Sequence, residues 1–239
     1  MPVYNIADLN VKMNCESKLC LERGEKYRVS DDTEPDIVID RDKERIERNV
    51  KEYPQMNANE WEYMIFGSGF YNRIINFDGM MLHASAVVVD GKAYLFSAHC
   101  GTGKSTHTSL WLKLFGEKAY IINDDKPAIR MIDGVPYVYG TPFSGKHDIS
   151  RNTKARLAGI CFISQAPENK ISTMPTQEAI VKVLEQTIRR LSYDNMDKML
   201  SVLDKILSSI TVYSLECNMD ISAAVLSYET MSGEKLNDR

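Results

Sequence analysis

"FSAHCGTGKSTHTSLW", residues 96–111, decides the fold of this chain. An apolar run enters a stretch of small residues, Lys104-Ser105 follows, and an apolar-faced segment with helical spacing leaves it. That order has a mechanism. Small residues let successive backbone N–H groups point at one anion. The helix that follows turns its positive end toward the same phosphates. In this pattern Lys104 is a compact cation beside the β- and γ-phosphates, and the Ser105 hydroxyl is a ligand for Mg²⁺. Gly101 and Gly103 permit the tight path, and Thr102 and Thr106 complete the expected nucleotide contacts. Ala98 stands where the pattern usually opens with glycine, and its side chain is small enough to close the turn. The expected ligands are ATP and Mg²⁺.

Working outward, MLHASAVVVDGKAYLFSA upstream holds two apolar runs joined by Asp90-Gly91, a hairpin signal because that pair tolerates positive φ. His83 sits at the start of the first run, where periodicity alone reads it as a core residue. Downstream, AYIIN ends on Asp124-Asp125. The strand beside a phosphate loop commonly delivers a carboxylate to the metal, so Asp124 is assigned to Mg²⁺ together with Ser105. A second carboxylate, Asp125, is available to take the proton of an attacking hydroxyl. Asp133-Gly134 predicts a further hairpin between PAIRMI and VPYVYG, and LAGICFIS reads as another strand. Between them GTPFSGK, residues 140–146, is a turn-rich loop from which Lys146, or Arg151 beyond it, could reach the γ-phosphate. Asn152 could hold a polar group of the substrate.

The flanks read more coarsely. Residues 1–40 are strand-rich, and residues 41–56 are highly charged without a clear assignment. A helix is expected over NEWEYMIFGSGFYNRIINF with Asn57 or Asn59 as cap, and Gly67 and Gly69 predict a bend or break in it. The C-terminal part is helical: TQEAIVKVLEQTIRR with Thr176 as a capping residue, then MDKMLSVLDKIL, a late strand ITVYSLE and a short last helix. The 239 residues are 44% hydrophobic and 26% charged with a formal net charge of -4, the composition of a globular protein with no basic excess for nucleic acid. No apolar window is long enough to span a membrane, and MPVYNIADLNVKMNC lacks the basic-then-apolar pattern of a leader. Five scattered cysteines suggest reduced thiols and a cytoplasmic location.

Three elements then stand in order: His83-Ala84-Ser85-Ala86, the loop from Ala98 to Thr106, and Asn123-Asp124-Asp125. This resembles the nucleotide-binding half of phosphoenolpyruvate carboxykinases and HPr kinase/phosphorylases. "GKSTHTSLW", "INDDKPAI", "YGTPFSGK" and "AGICFISQAPENKI" extend the likeness, over about residues 65–215, to HPr-kinase-related proteins of bacteria that accompany ribosomal-peptide modification systems. The resemblance implies that His83 and Asp125 face the acceptor and Asp124 the nucleotide, and that transfer is to a serine hydroxyl. Which Asp is the general base stays open. No lysine stands near Met64, where a carboxykinase carries a metal-binding one. The organic-acid domain of carboxykinases is missing, so decarboxylation is not expected. The C-terminal glycine signature of HPr kinases is not evident, so HPr itself is not the implied acceptor.

The resulting expectation is an α/β, phosphoenolpyruvate-carboxykinase-like P-loop domain with a mixed sheet and a helical C-terminal part, residues 61–239, behind a small N-terminal β region, residues 1–60. It would transfer phosphate from ATP, with Mg²⁺, to a hydroxyl of a peptide, a small protein or a free small-molecule alcohol. Its catalytic residues would be Asp125, Asp124, His83, Lys104 and Lys146. The rival readings are a nucleotide-binding regulator without turnover and a phosphorylase running the reaction backward. Neither nucleic acid nor membrane is expected as a partner, and related kinases suggest a homo-oligomer.

Overall fold

The structure is a computed structural model and describes residues 1–188 and 193–236. It opens on a hairpin, β1 (Val3–Ile6) and β2 (Leu9–Met13), turned at Ala7 and Asp8. Then come α1 (Lys18–Gly24), which Ser17 caps, β3 (Arg28–Val29) and β4 (Ile37–Ile39). Together the strands make a four-stranded sheet in the order β3-β1-β2-β4. The charged stretch is α2 (Lys43–Glu52), which Asp42 caps and which buries only Ile46, so it carries no apolar stripe to read.

α3 (Ala58–Ile74) starts at a capping box in which Asn57 and Glu60 bond each other's backbone N–H. It runs unbroken through Gly67 and Gly69, against the expected break. A Cβ at Gly67 would lie 3.0 Å from Phe143, and one at Gly69 would lie 3.0 Å from Ile39. The two glycines let α3 approach its neighbours rather than bend.

The main sheet contains β5 (Gly79–Met81), β6 (Ala84–Val89) and β7 (Lys92–Ser97), after which the glycine loop feeds α4 (Lys104–Phe115). β8 (Ala119–Asp125), β9 (Ala128–Ile132), β10 (Val135–Tyr139), β11 (Lys154–Gln165) and β12 (Lys170–Thr173) follow. The chain ends through α5 (Thr176–Glu185), α6 (Tyr193–Leu207), β13 (Thr211–Cys217) and α7 (Ile221–Ser232). Thr176 is the first residue of α5 and not its cap; Pro175 holds the cap position without a side-chain bond. The end of TQEAIVKVLEQTIRR, Arg189 and Arg190, lies outside the described residues.

The strand order is β5-β9-β10-β11-β7-β6-β8, with β13 beside β11 and β12 beside β13. β11 runs parallel to both β7 and β13, and the other pairings in this sheet are antiparallel, so the mixed α/β architecture is as expected. Alternate residues of β6 serve two cores: Ala84, Ala86 and Val88 join α5 and α6 on one face, while Val87 and Val89 join α4 and α7 on the other. The C-terminal helices therefore cover both faces of the sheet. A third core packs the N-terminal sheet on α3 together with Met81, Ala128, Tyr139 and Phe143 of the main body. Among the described residues no helix is long and apolar enough to cross a membrane.

Candidate active site

The loop between β7 and α4 turns on two glycines, Gly101 at φ +80° and Gly103 at φ +116°. Both values belong to the region that side chains disfavour, and Gly103 also caps α4. The helix N-terminus therefore opens directly onto the cavity lined by Gly101, Gly103, Lys104, Ser105 and Thr106, about 340 Å³ in volume. Lys104 folds back and donates to the Ala98 carbonyl at 3.0 Å. Its half-burial lowers its pKa, and the Asp125 and Asp124 charges only partly restore it. Gln165 pins the outer side of the loop through the Thr102 carbonyl at 3.1 Å.

The opposite wall comes from the end of β8. That strand pairs with β6 and not with β7, so the acidic strand is one removed from the loop strand, a correction to the expected adjacency. Asp124 nevertheless reaches the loop: the Ser105 hydroxyl donates to its two carboxylate oxygens at 3.0 and 3.1 Å. Oxygen ligands about 2.0–2.1 Å from Mg²⁺ in an octahedron stand about 2.9 Å apart on adjacent corners. The Ser105 and Asp124 oxygens are hard donors at that spacing, so this pair fits the ion.

Asp125 points elsewhere. Its backbone sits at φ +110°, a strained value for a residue with a side chain. The turn is held by the buried Asn123, whose side chain accepts the Lys126 N–H at 2.9 Å and donates to the Thr141 carbonyl at 3.0 Å. Thus reoriented, the Asp125 carboxylate meets His83 Nε2 at 3.0 Å and the Lys126 ammonium. Burial alone would raise its pKa; the His83 hydrogen bond and the Lys126 charge outweigh that and hold it at about 2. The other imidazole nitrogen, Nδ1, lies 3.1 Å from Gln186 Oε1. The ring is held between the Asp125 carboxylate and the Gln186 amide. His83 is thus a lining residue of the cavity and not a core residue.

Lys126 and Gln186 were missed in the sequence. Lys126, the residue after Asp125, brings its ammonium to the Asp125 carboxylate, and Gln186 stands beside the His83 ring. The signal available was the motif NDDK itself.

The 140–148 loop closes the site. Gly145 donates its N–H to the Asp124 carbonyl at 2.7 Å, and a Cβ there would crowd Asp125 at 3.1 Å. Lys146 and His147 therefore line the same cavity as Lys104 and Asp124. Arg151 and Asn152 do not: Arg151 stacks on the Tyr120 ring at 4.5 Å, and Asn152 bonds the Lys26 carbonyl at 3.0 Å.

Two further cavities flank this one. A larger space of about 570 Å³ runs from Gly101, Thr102 and Gly103 past Leu110 and Ile163 to Met219. On the other side, about 390 Å³ is bounded by His83, Asp125, Lys126, Gln186, His99 and Cys100. His107, in α4, is buried and bonds Ser227 at 3.0 Å, which Trp111 also bonds at 3.0 Å. It is a packing residue whose pKa burial pushes down to about 4.

No family model matches this chain, and no curated protein matches it. Among solved structures it is similar to the Hpr(Ser) kinase/phosphatase from Coxiella burnetii, at 13% identity and a TM-score of 0.36, over 64% of this chain and 94% of that one. So loose a likeness carries no argument about the site.

Proposed function

We propose that the chain is a phosphotransferase that moves the γ-phosphoryl group of ATP to a serine hydroxyl. The observation that carries this reading is the division of labour between two consecutive carboxylates in one cavity. Asp124 shares its oxygens with Ser105 beside the glycine loop, and Asp125 faces away with His83 and Lys126. A site that only held a nucleotide would need the first and not the second.

The large cavity beside the loop is the place for the nucleoside, and the loop amides with Lys104 bind the phosphates. Ser105 and Asp124 would hold Mg²⁺, which would supply neutralisation of phosphate charge. Lys146 adds positive charge from the facing loop. The acceptor hydroxyl enters between His83 and Asp125. As its oxygen bonds to the γ-phosphorus and the bond to the β-bridging oxygen breaks, its proton passes to Asp125. A carboxylate held near pKa 2 is a weak base, but transfer through a loose transition state releases the proton late and asks little of it. His83 orients the carboxylate, and Lys126 compensates its charge.

The test is product mass after incubating the protein with Mg-ATP and serine-containing peptides, free serine and polyols. An added phosphate that disappears in Asp125→Asn is the expected result. Tight ATP binding without any phosphorylated product would replace this reading with a nucleotide-binding regulator.

A further inference from the structure

We infer that the apolar cleft beyond Lys126 receives a bulky apolar side chain of a peptide acceptor, one or two residues from the phosphorylated serine. This rests on the phosphotransferase reading and names the acceptor class for that site.

The cleft measures about 160 Å³ and lies between α3, Met81, Phe143 and Ile188. Its walls are rings whose polar ends are already engaged. Tyr63 donates its hydroxyl to the Ser144 carbonyl at 2.8 Å, and the Tyr71 hydroxyl bonds the Lys126 carbonyl at 2.5 Å and Thr141 at 2.8 Å. Each ring stands 5.7–5.8 Å from Phe143, and Gly67, on the same wall, lets α3 close on that ring, because a Cβ there would lie 3.0 Å from it. The hydroxyls on its wall, Tyr63, Tyr71 and Ser68, already bond protein partners. Apolar cavities of about 150 Å³ stay dry and accept benzene-sized groups. A leucine, methionine or phenylalanine side chain matches both the size and the chemistry.

The cleft continues the acceptor cavity, because Met81 and Lys126 line both. Lys126 turns its ammonium onto Asp125 and also lines the cleft, so one residue borders both the carboxylate and the cleft. An extended peptide advances about 3.3 Å per residue, which lets one chain place a serine at Asp125 and a neighbouring side chain in the cleft. A free polyol or amino acid is too short and too polar to do both.

Two measurements test this. In the first, peptides that differ only beside the serine are compared, with Ser68→Leu as the variant that fills the cleft. Ser68 is on the cleft wall, and its hydroxyl bonds only the Ile65 carbonyl of its own helix. Leucine beside the serine is expected to raise kcat/KM roughly tenfold or more over asparagine. Ser68→Leu is expected to erase that preference while nucleotide affinity stays unchanged. Equal turnover of all flanking residues, or of free serine and peptide, overturns the inference. The second measurement needs no turnover: N-acetyl-leucinamide is titrated against methyl-labelled protein. The Met64, Met81 and Ile188 methyl signals should shift in the wild type and not in Ser68→Leu. No shift overturns the cleft even if transfer is found. Shifts without phosphorylation of any peptide overturn the acceptor assignment and the phosphotransferase reading together, leaving only an apolar binding cleft.

Discussion

Asp124 and Asp125 differ by one position and by everything around them, so their substitutions should separate. Asp124→Asn removes a hard ligand facing Ser105 and should weaken binding of Mg-ATP while leaving metal-free nucleotide binding nearly intact, read by calorimetry with and without the metal. Asp125→Asn keeps the shape and the His83 contact, so it should leave Mg-ATP affinity unchanged and lower transfer by about 10²–10⁴-fold. A second residue speaks through pH. His107 is buried and neutral with a folded pKa of about 4, whereas an unfolded imidazole binds its proton near pH 6.5. Between those values the unfolded state binds more protons, so stability is full above about pH 6.5 and falls as pH drops toward 4. Melting temperatures across that window should decline in the wild type and flatten in His107→Gln. At this scale the glycine loop, Ser105 and the Asp pair are legible in the sequence because their chemistry depends on neighbours along the chain. His83 became legible only through a family resemblance. NDDK places Lys126 beside the Asp pair, but the aim of its ammonium depends on the turn at Asp125, and the motif does not carry that turn.

The elements that place these residues are fixed by close approaches as much as by periodicity. Both Asp-Gly hairpins form where they were read, with Asp90 and Asp133 each at φ +50°. α3 was misread at its glycines because a glycine that permits contact looks in sequence like one that permits a bend. α1, β3 and β12 are too short to show a period. Gly140 is the sharpest case of contact: a Cβ there would fall 1.8 Å from the Arg151 carbonyl oxygen and 2.6 Å from that of Ile122. Both obstacles are backbone, and Ile122 lies in the strand that ends on the Asp pair. Gly140→Ala must therefore move backbone, at a cost of about 1–3 kcal/mol. Its effect should show as a lower denaturant midpoint together with reduced transfer, since the displaced segment carries the carboxylates.

Across the whole molecule, the N-terminal sheet acts on the site through contacts that no window of sequence contains. Asp8 bonds Tyr139 at 2.8 Å and Lys154 at 2.6 Å, and the Ala7 carbonyl accepts from Arg130 at 2.7 Å. Lys26 bonds the Ser150 carbonyl at 2.8 Å. Arg23, nearly buried, donates to the Ser144 carbonyl at 2.9 Å and to the Tyr63 hydroxyl at 2.7 Å, and it lies 3.7 Å from Asp148. Those contacts bracket Gly145-Lys146-His147 from both sides, so the first forty residues brace the loop that shares its cavity with Lys104 and Asp124. Each pair spans many residues of chain, and composition and periodicity carry no trace of such pairing. Arg23→Ala should therefore act on catalysis from outside the cavity. The Lys146 loop would lose its brace, and a misplacement of about 1 Å costs on the order of 10²-fold in rate. On the proposed reading nucleotide affinity rests on the loop amides and Lys104, so it should change little. The readout is kcat against the Kd for Mg-ATP, together with Arg23→Lys, which keeps charge but not the forked geometry and should recover only part of the rate. A fall in Mg-ATP affinity equal to the fall in kcat would show that the N-terminal region supports the whole cavity and not this loop.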